Sequence, residues 1–454
     1  MTGLSLGAYM LLPATAILLR RREGSWYSPA TLFTAIWCFL AGIGLLIGPF
    51  QVPFTGILFI VAACLAVGAG AEVSRRRLGP ARKSATRLQQ GPLLVWLSLG
   101  CAALSFAAVT ILLASRGHGP QVFLSPGALA ATAREFAVAT FINGWQEPSV
   151  VSYLTTFNYL GALLAGVLLA TQRTGWTRWV GLLNFIPAVM FTAILTTKQS
   201  LLLPLAMATS SYVAARLAVG PSTPPLTVSR AAWLAAGVVM LLTLFLLVQM
   251  GRYGYRTPAQ AEEVIRLFLV ETFAFLGAFA HWLQEGGWAT TRPRLGFYTF
   301  AGEFDLLHLG HRLPGIYGDQ LMIGGRPYNI YTVFRGLIQD FTLPGALVVL
   351  AAIGFGAQLA YVRTRAGDIR YGAALAAFYA FALYSWALDI FSYNTVLLAV
   401  ILLSGLLLWS VRVRGPQRAG STPSLIQKGR AAVERIRHDT CLRAFAPEGD
   451  LTDP

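Results

Sequence analysis

The chain has 454 residues, of which 56% are hydrophobic and 12% are charged, and its formal net charge is +16. This composition excludes an ordinary soluble domain, because apolar runs of bilayer-spanning length recur between short basic or Gly/Pro-rich breaks. The positive charge follows the loops of a membrane topology, so nucleic acid is not an expected partner. The four cysteines are far apart and lack neighbouring histidines, so neither a disulfide nor a metal site is expected.

Hydropathy predicts an all-α integral membrane protein, with a polytopic bundle of about 11 transmembrane helices over residues 1–411. The first apolar run precedes Arg20, Arg21 and Arg22 and has no basic region before it, so we expect it to remain uncleaved. The predicted spans are 4–19, 29–48, 53–71, 92–114, 150–170, 179–196, 201–215, 231–250, 343–362, 371–388 and 395–411.

The basic residues orient these spans, because Lys and Arg are retained on the cytoplasmic side during insertion. The arginine triplet 20–22, the basic cluster 75–87 and the basic tail 412–454 all fall on one side. We therefore predict a multi-pass protein of the cytoplasmic (inner) membrane, with the N-terminus outside and the C-terminus cytoplasmic. Residues 115–149 and the large loop 251–342 then lie at the outer face.

Residues 264–283 are apolar enough to suggest a twelfth span, yet they include Arg266, Glu271 and His281. One crossing there would put the downstream basic residues outside. An amphipathic helix at the interface or packed on the bundle is therefore preferred.

Arginines and tyrosines border the large outer loop. Arg252 and Arg256 follow one span, and Arg326, Tyr331 and Arg335 precede the next, which predicts that both groups lie at the membrane surface. Arginine binds phosphate oxygens at two points, and aromatic rings stack on sugars, which suits a lipid diphosphate sugar. The alternative is an ordinary interfacial belt of arginine and tyrosine. Arg116 and Arg134 of the earlier outer loop are interpreted as solvated, with glycan contact as the alternative.

The segment 327–345, PYNIYTVFRGLIQDFTLPG, resembles part of the O-antigen polymerases, also called oligosaccharide repeat unit polymerases. There, Asn, aromatic and Thr residues precede an Asp-Phe-Gly-x-x-Gly run that opens a membrane helix. Thr342 stands where the family has its first Gly, and Gly345 is at the second. The segment 196–206, TTKQSLLLPLA, is similar to a motif of related polymerases and ligases, with Lys198 in place of their Arg. The resemblance covers residues 150–362.

This resemblance implies polymerisation of polyprenyl-diphosphate-linked oligosaccharide repeat units into an O-antigen-like surface polysaccharide, as in lipopolysaccharide biosynthesis. The acceptor's sugar hydroxyl attacks the donor glycan, and the lipid diphosphate leaves. No cofactor is expected, and a chain-length regulator protein is a candidate partner. The expected substrate-binding residues, for diphosphate and glycan, are Lys198, Arg252, Arg256, Arg326, Arg335, Asn329 and Tyr331.

The base that takes the acceptor's proton is not resolved by the sequence. Asp340, Glu303 and His308 are the leading candidates, and Asp305 and His311 are the others. Asp340 precedes a helix, so helix capping is its competing interpretation. His308 and His311 lack a clear third ligand for a metal ion.

Two other functions remain open at this point. An O-antigen ligase, or another glycosyltransferase with a polyprenyl donor, would share this plan and use His281, His308 or His311. A flippase or transporter for the same lipid is less favoured, because ionisable residues are scarce in the membrane centres.

Overall fold

The computed structural model of the chain describes residues 3–48, 51–78, 86–88, 91–172, 175–220, 228–253, 258–289, 292–310, 317, 321–323, 326–328 and 331–413. Met1–Arg412 forms one compact unit of the chain, and the division falls before Val413. Of the predicted tail, 412–454, the structure describes only residues 412 and 413.

The first unit is built from helices. In chain order these are α1 Gly3–Glu23, α2 Pro29–Ile47, α3 Phe54–Leu78, α4 Gly91–Ala114, α5 Pro126–Phe141, α6 Ser149–Thr171, α7 Thr177–Val180, α8 Phe185–Leu195, α9 Gln199–Val219, α10 Val228–Tyr253, α11 Pro258–Phe273, α12 Phe275–Gln284, α13 Ala301–Leu306, α14 Val333–Arg365, α15 Gly372–Tyr384 and α16 Asn394–Ser410. The described strands have three residues each: β1 Thr86–Leu88, β2 Leu321–Ile323, β3 Arg326–Tyr328 and β4 Val411–Val413.

Seven of the described helices are long and apolar enough to cross a membrane, namely α1, α2, α3, α4, α6, α9 and α14. A pair bent by 57°, Glu262–Phe273 and Phe275–Gln284, makes an eighth if it is counted as one span. The prediction of an all-α integral membrane protein is thus confirmed. Each of the other four predicted spans overlaps a shorter apolar helical segment: Gly181–Leu195, Ala236–Arg252, Ile369–Tyr384 and Asn394–Ser410. The count of eleven stays a prediction.

Glycines allow the central helices to pack backbone to backbone. A Cβ on Gly70 of α3 would collide with the carbonyl oxygen of Ala351 in α14, and one on Gly354 would collide with that of Val67. Gly356, two residues further along α14, has open space around it. Close approach at small residues is how membrane helices gain contact area without a hydrophobic driving force.

Two short helical segments lie inside the bundle. Nearly every residue of α12 is buried, and so is every residue of 333–340 at the start of α14. A helix that is buried all round must be surrounded by protein. Residues 264–283 were predicted to lie at the interface or to pack on the bundle, and the second half of this segment packs in the bundle. There, the His281 ring hydrogen-bonds the Gln51 carbonyl oxygen at 2.9 Å. The side chains of 333–340 are enclosed by their neighbours, and the position of this segment at the level of the membrane surface stays a prediction.

Segments that the sequence assigns to one side of the membrane meet in space. Glu72 of α3 binds Arg75 and Arg76 of its own helix and pairs with Arg22 of α1 at 3.5 Å. The basic ends of α1 and α3 therefore lie together, because one carboxylate contacts arginines from both.

Candidate functional site

A backbone break interrupts α14 next to the residues of the candidate site. Thr342 has φ 67° and ψ 173°, and this break separates the buried segment 333–340 and Phe341 from the long helix that follows. This conformation is essentially restricted to glycine, since a Cβ clashes with the backbone there. The O-antigen polymerase motif that this segment resembles has a glycine at the position of Thr342. The break ends the buried helix beside the loop 294–300.

Arg335 lies on the buried segment and is enclosed by aromatic rings. Its side chain is 0% exposed, and its guanidinium carbon is 3.9 Å from the ring centroid of Tyr331 and 4.1 Å from that of Tyr317. The ring of Trp282 in α12 is 5.0 Å away. Aromatic faces stabilise a cation electrostatically, and more strongly away from water. The structure thus brings together two of the predicted residues, Arg335 and Tyr331, with two aromatic residues that the sequence did not single out.

The aromatic contacts continue on both sides of Arg335. Tyr317 stacks on Tyr298 with centroids 5.4 Å apart, and Tyr331 contacts Tyr328 at 6.4 Å. Tyr328 belongs to β3, which pairs antiparallel with β2. Burial raises the pKa of the Tyr328 hydroxyl well above its usual value, and the nearby charge of Glu271 adds to this.

A second cation lies next to Glu271. Lys198 sits between α8 and α9, where its Nζ donates to Thr272 Oγ1 at 3.1 Å and lies 3.5 Å from Glu271 Oε2. Burial lowers the pKa of the Lys198 ammonium, and the charge of Arg252 acts in the same direction. Lys198 and Arg252 are therefore close enough for their charges to interact. The structure brings both predicted residues to the side of the site that Tyr328 borders.

The carboxylate of Asp340 accepts several hydrogen bonds from the loop 294–300. It accepts from the backbone N–H of Tyr298 at 2.9 Å, from that of Thr299 at 2.6 Å and from Thr299 Oγ1 at 2.7 Å. Asp340 therefore caps backbone groups, as its competing interpretation proposed, but those of a distant loop rather than of the following helix. A carboxylate so engaged is poorly placed to take a proton, so its predicted catalytic role is not supported by this geometry.

The carboxylate of Glu303 on α13, in contrast, has no hydrogen-bond partner among the other described residues. Both of its oxygens are buried. Burial raises the pKa of this carboxyl. No described residue uses the acceptor oxygens of Glu303, so the structure favours Glu303 over Asp340 as the base. His308 is exposed at the end of the same segment.

Asp389 is a site residue that sequence reasoning missed. It lies between α15 and α16, where its Oδ1 accepts from Phe391 N at 2.9 Å and its Oδ2 is buried without a hydrogen-bond partner among the described residues. Burial raises the pKa of Asp389 to about 8, and the charges of Asp340 and Glu303 contribute. The sequence feature that could have singled out Asp389 is its position directly after the predicted span 371–388, at the predicted outer face.

Several predicted residues cannot be placed. Arg256, Asn329 and His311 lie outside the described residues, and of Arg326 only the backbone is described. Within the described part of the chain, no three His, Cys, Asp or Glu side chains are arranged to hold a metal ion.

Comparisons of the chain with protein-family models, with curated proteins and with solved structures find no match.

Proposed function

We propose that this chain polymerises polyprenyl-diphosphate-linked oligosaccharide repeat units into an O-antigen-like surface polysaccharide at the outer face of the cytoplasmic membrane. In the proposed orientation the N-terminus is outside and the basic tail is cytoplasmic. The proposal combines the sequence resemblance with the chemistry of the site.

One observation carries the proposal: a series of contacts and charge–charge interactions joins cations to carboxylates. Lys198 interacts electrostatically with Arg252 and pairs with Glu271, whose charge acts on Tyr328. From Tyr328, the ring contacts around Arg335 lead to Tyr298, whose backbone N–H donates to Asp340. Glu303 and Asp389 lie beyond, close enough to interact electrostatically with each other. Transfer from a lipid diphosphate needs positive charge where the diphosphate leaves and a base where the hydroxyl attacks. The two ends of the series supply these two requirements.

The roles of the three cations follow from accessibility, and that of Glu303 follows from its free acceptor oxygens. Lys198 retains 17% exposure of its side chain, so we assign Lys198 and Arg252 to the donor's diphosphate. Arg335 is enclosed, so it acts as a fixed positive charge that positions the aromatic residues. Glu303 takes the proton of the acceptor's hydroxyl as the oxygen attacks the donor's anomeric carbon, and the electron pair of the broken bond leaves with the diphosphate.

The test is to delete the gene in its host and to complement it with the wild type, with Lys198→Gln or with the control Arg77→Gln. Arg77 is an exposed arginine at the end of α3, remote in sequence from the site. We expect the surface polysaccharide ladder of the deletion strain to collapse to a single repeat unit. Arg77→Gln should restore the full ladder, and Lys198→Gln should not.

Other outcomes would overturn the proposal. Long lipid-linked chains that accumulate outside, with no glycan on the lipid core, would indicate a ligase. Single units trapped inside would indicate a flippase. A complete ladder in the deletion strain would exclude any role in polymerisation.

A further inference from the structure

A groove of about 680 Å³ lies between α5 and the end of α10. Its polar lining consists of Arg116, Arg134, Glu135 and Asn143, and small residues of α5 form much of the rest. This volume falls within the range of pockets that hold small molecules. The end of α10 contributes Gly251, so the groove directly adjoins Arg252 in the chain.

The charges in the groove favour an anion. One oxygen of Glu135 pairs with Arg116 at 3.2 Å, and the other lies 2.9 Å from His118 Nε2. The same contacts fix Arg116, whose guanidinium carbon also lies 5.9 Å from the ring centroid of Trp145. Arg134 is exposed on the same helix, one residue from Glu135. Two guanidinium groups with one carboxylate leave a net positive groove, which suits phosphate oxygens.

The surroundings of α5 favour an anion attached to a lipid. Val138 of α5 is 40% exposed, and Leu124 and Ile142 at its two ends are 86% and 75% exposed. Apolar side chains exposed beside arginines are typical of a helix at the membrane interface. A ligand could place its headgroup in the groove while its hydrocarbon tail remains in the bilayer.

We propose that this groove binds the isoprenoid diphosphate of the acceptor substrate. The inference rests on the proposed function, because joining two lipid-linked repeat units requires a second lipid diphosphate site beside the first. Arg134 and Arg116 hold the acceptor's diphosphate, and Lys198 and Arg252 hold that of the donor. The adjacency of Gly251 and Arg252 puts the two sites next to each other.

The test measures equilibrium binding of radiolabelled farnesyl diphosphate to the full chain in nanodiscs of phosphatidylcholine, where no glycan transfer takes place. The variants are Arg134→Ala and, as a matched loss of one exposed arginine elsewhere, Arg77→Ala. Wild type and Arg77→Ala should each bind two equivalents. In Arg134→Ala we expect one of the two equivalents to bind with about tenfold lower affinity, because a charge-assisted contact is lost. One equivalent in the wild type, or equal binding by both variants, would overturn the proposal.

Two competition arms identify the source of the phosphate. Farnesol and inorganic diphosphate should each compete poorly, because each has only one half of the ligand. Phosphatidylglycerol added to the nanodiscs should displace little farnesyl diphosphate; full displacement would indicate a general phospholipid site and overturn the assignment. This assay needs no polymerisation, so its outcome is independent of the test of the proposed function. If the protein binds two equivalents but makes no polymer, the proposed function is refuted, whereas the groove remains a binding site for an isoprenoid diphosphate.

Discussion

Two carboxylates of the candidate site have opposite surroundings. Asp340 accepts hydrogen bonds from the loop 294–300, whereas the oxygens of Glu303 are buried and have no bond to another described residue. Environment decides which of two such groups keeps its charge and which exchanges a proton. Asp340 is therefore a positioning residue, and Glu303 is the proposed base.

We expect Glu303→Gln to lower the transfer rate of the purified protein by about 10²- to 10⁴-fold, the usual contribution of a general base. Asp305→Asn, on the same helix, is the matched control and should keep most of the rate. Since burial raises the pKa of Glu303, wild-type activity should increase as the pH rises through that raised pKa. A glutamine variant with the wild-type rate would rule out this role.

Asp389 makes the stability depend on pH. Its pKa of about 8 exceeds the usual value of roughly 4, so the folded chain binds this proton more tightly than the unfolded chain. Stability therefore falls as the pH rises between these two values. Asp389→Asn keeps an acceptor for Phe391 N–H and removes the titration. We expect the variant to melt higher than the wild type at pH 9, by on the order of a few degrees, and to differ less at pH 5. A pH-independent difference in melting temperature would contradict this.

At the scale of elements, the membrane helices could be predicted from hydropathy, but the enclosed position of residues 333–340 could not, and that of α12 was only one of two alternatives. A window average treats an apolar helix inside the bundle and one that faces lipid alike. Residues 333–340 and α12 are distinguished only by what surrounds them. The break at Thr342 falls where the resembling motif has a glycine, which fits its backbone because a positive φ favours glycine.

Thr342→Gly should stabilise the protein. The present conformation costs on the order of 1–3 kcal/mol for a residue with a Cβ, and glycine removes that cost while losing about 1 kcal/mol of chain entropy. Thr342→Ala keeps the Cβ and is the control. We expect the melting temperature in detergent to rise for the glycine variant and to stay level or fall for alanine. A lower melting temperature for Thr342→Gly would show that the break is not strained.

At the scale of the whole molecule, the site consists of segments far apart in the chain. Lys198 contacts Thr272 across 74 positions, and Asp340 contacts Thr299 across 41. Arg252 and Arg335 were singled out by residue type and position beside a span, and Lys198 by the motif that residues 196–206 resemble; their role in substrate binding stays a prediction. Trp282, Tyr317 and Asp389 were missed, because their importance comes from partners that local patterns do not record.

The proposed orientation puts the ends of α3 and α12 on opposite sides of the membrane. In a chain without its native cysteines, a membrane-impermeant maleimide should label Glu285→Cys in intact spheroplasts. Arg77→Cys should be labelled only after lysis. Both positions are exposed, so access depends on the side of the membrane. The reverse pattern would invert the topology and put the candidate site inside.

The most direct measurement gives the purified, reconstituted chain a defined polyprenyl-diphosphate-linked repeat unit and follows the product sizes with time. If the chain is a polymerase, glycans of two, three and more repeat units should appear in order, with one polyprenyl diphosphate released for each bond formed. The proposed function would be contradicted if the repeat unit stayed single while the protein bound it, with no polyprenyl diphosphate released.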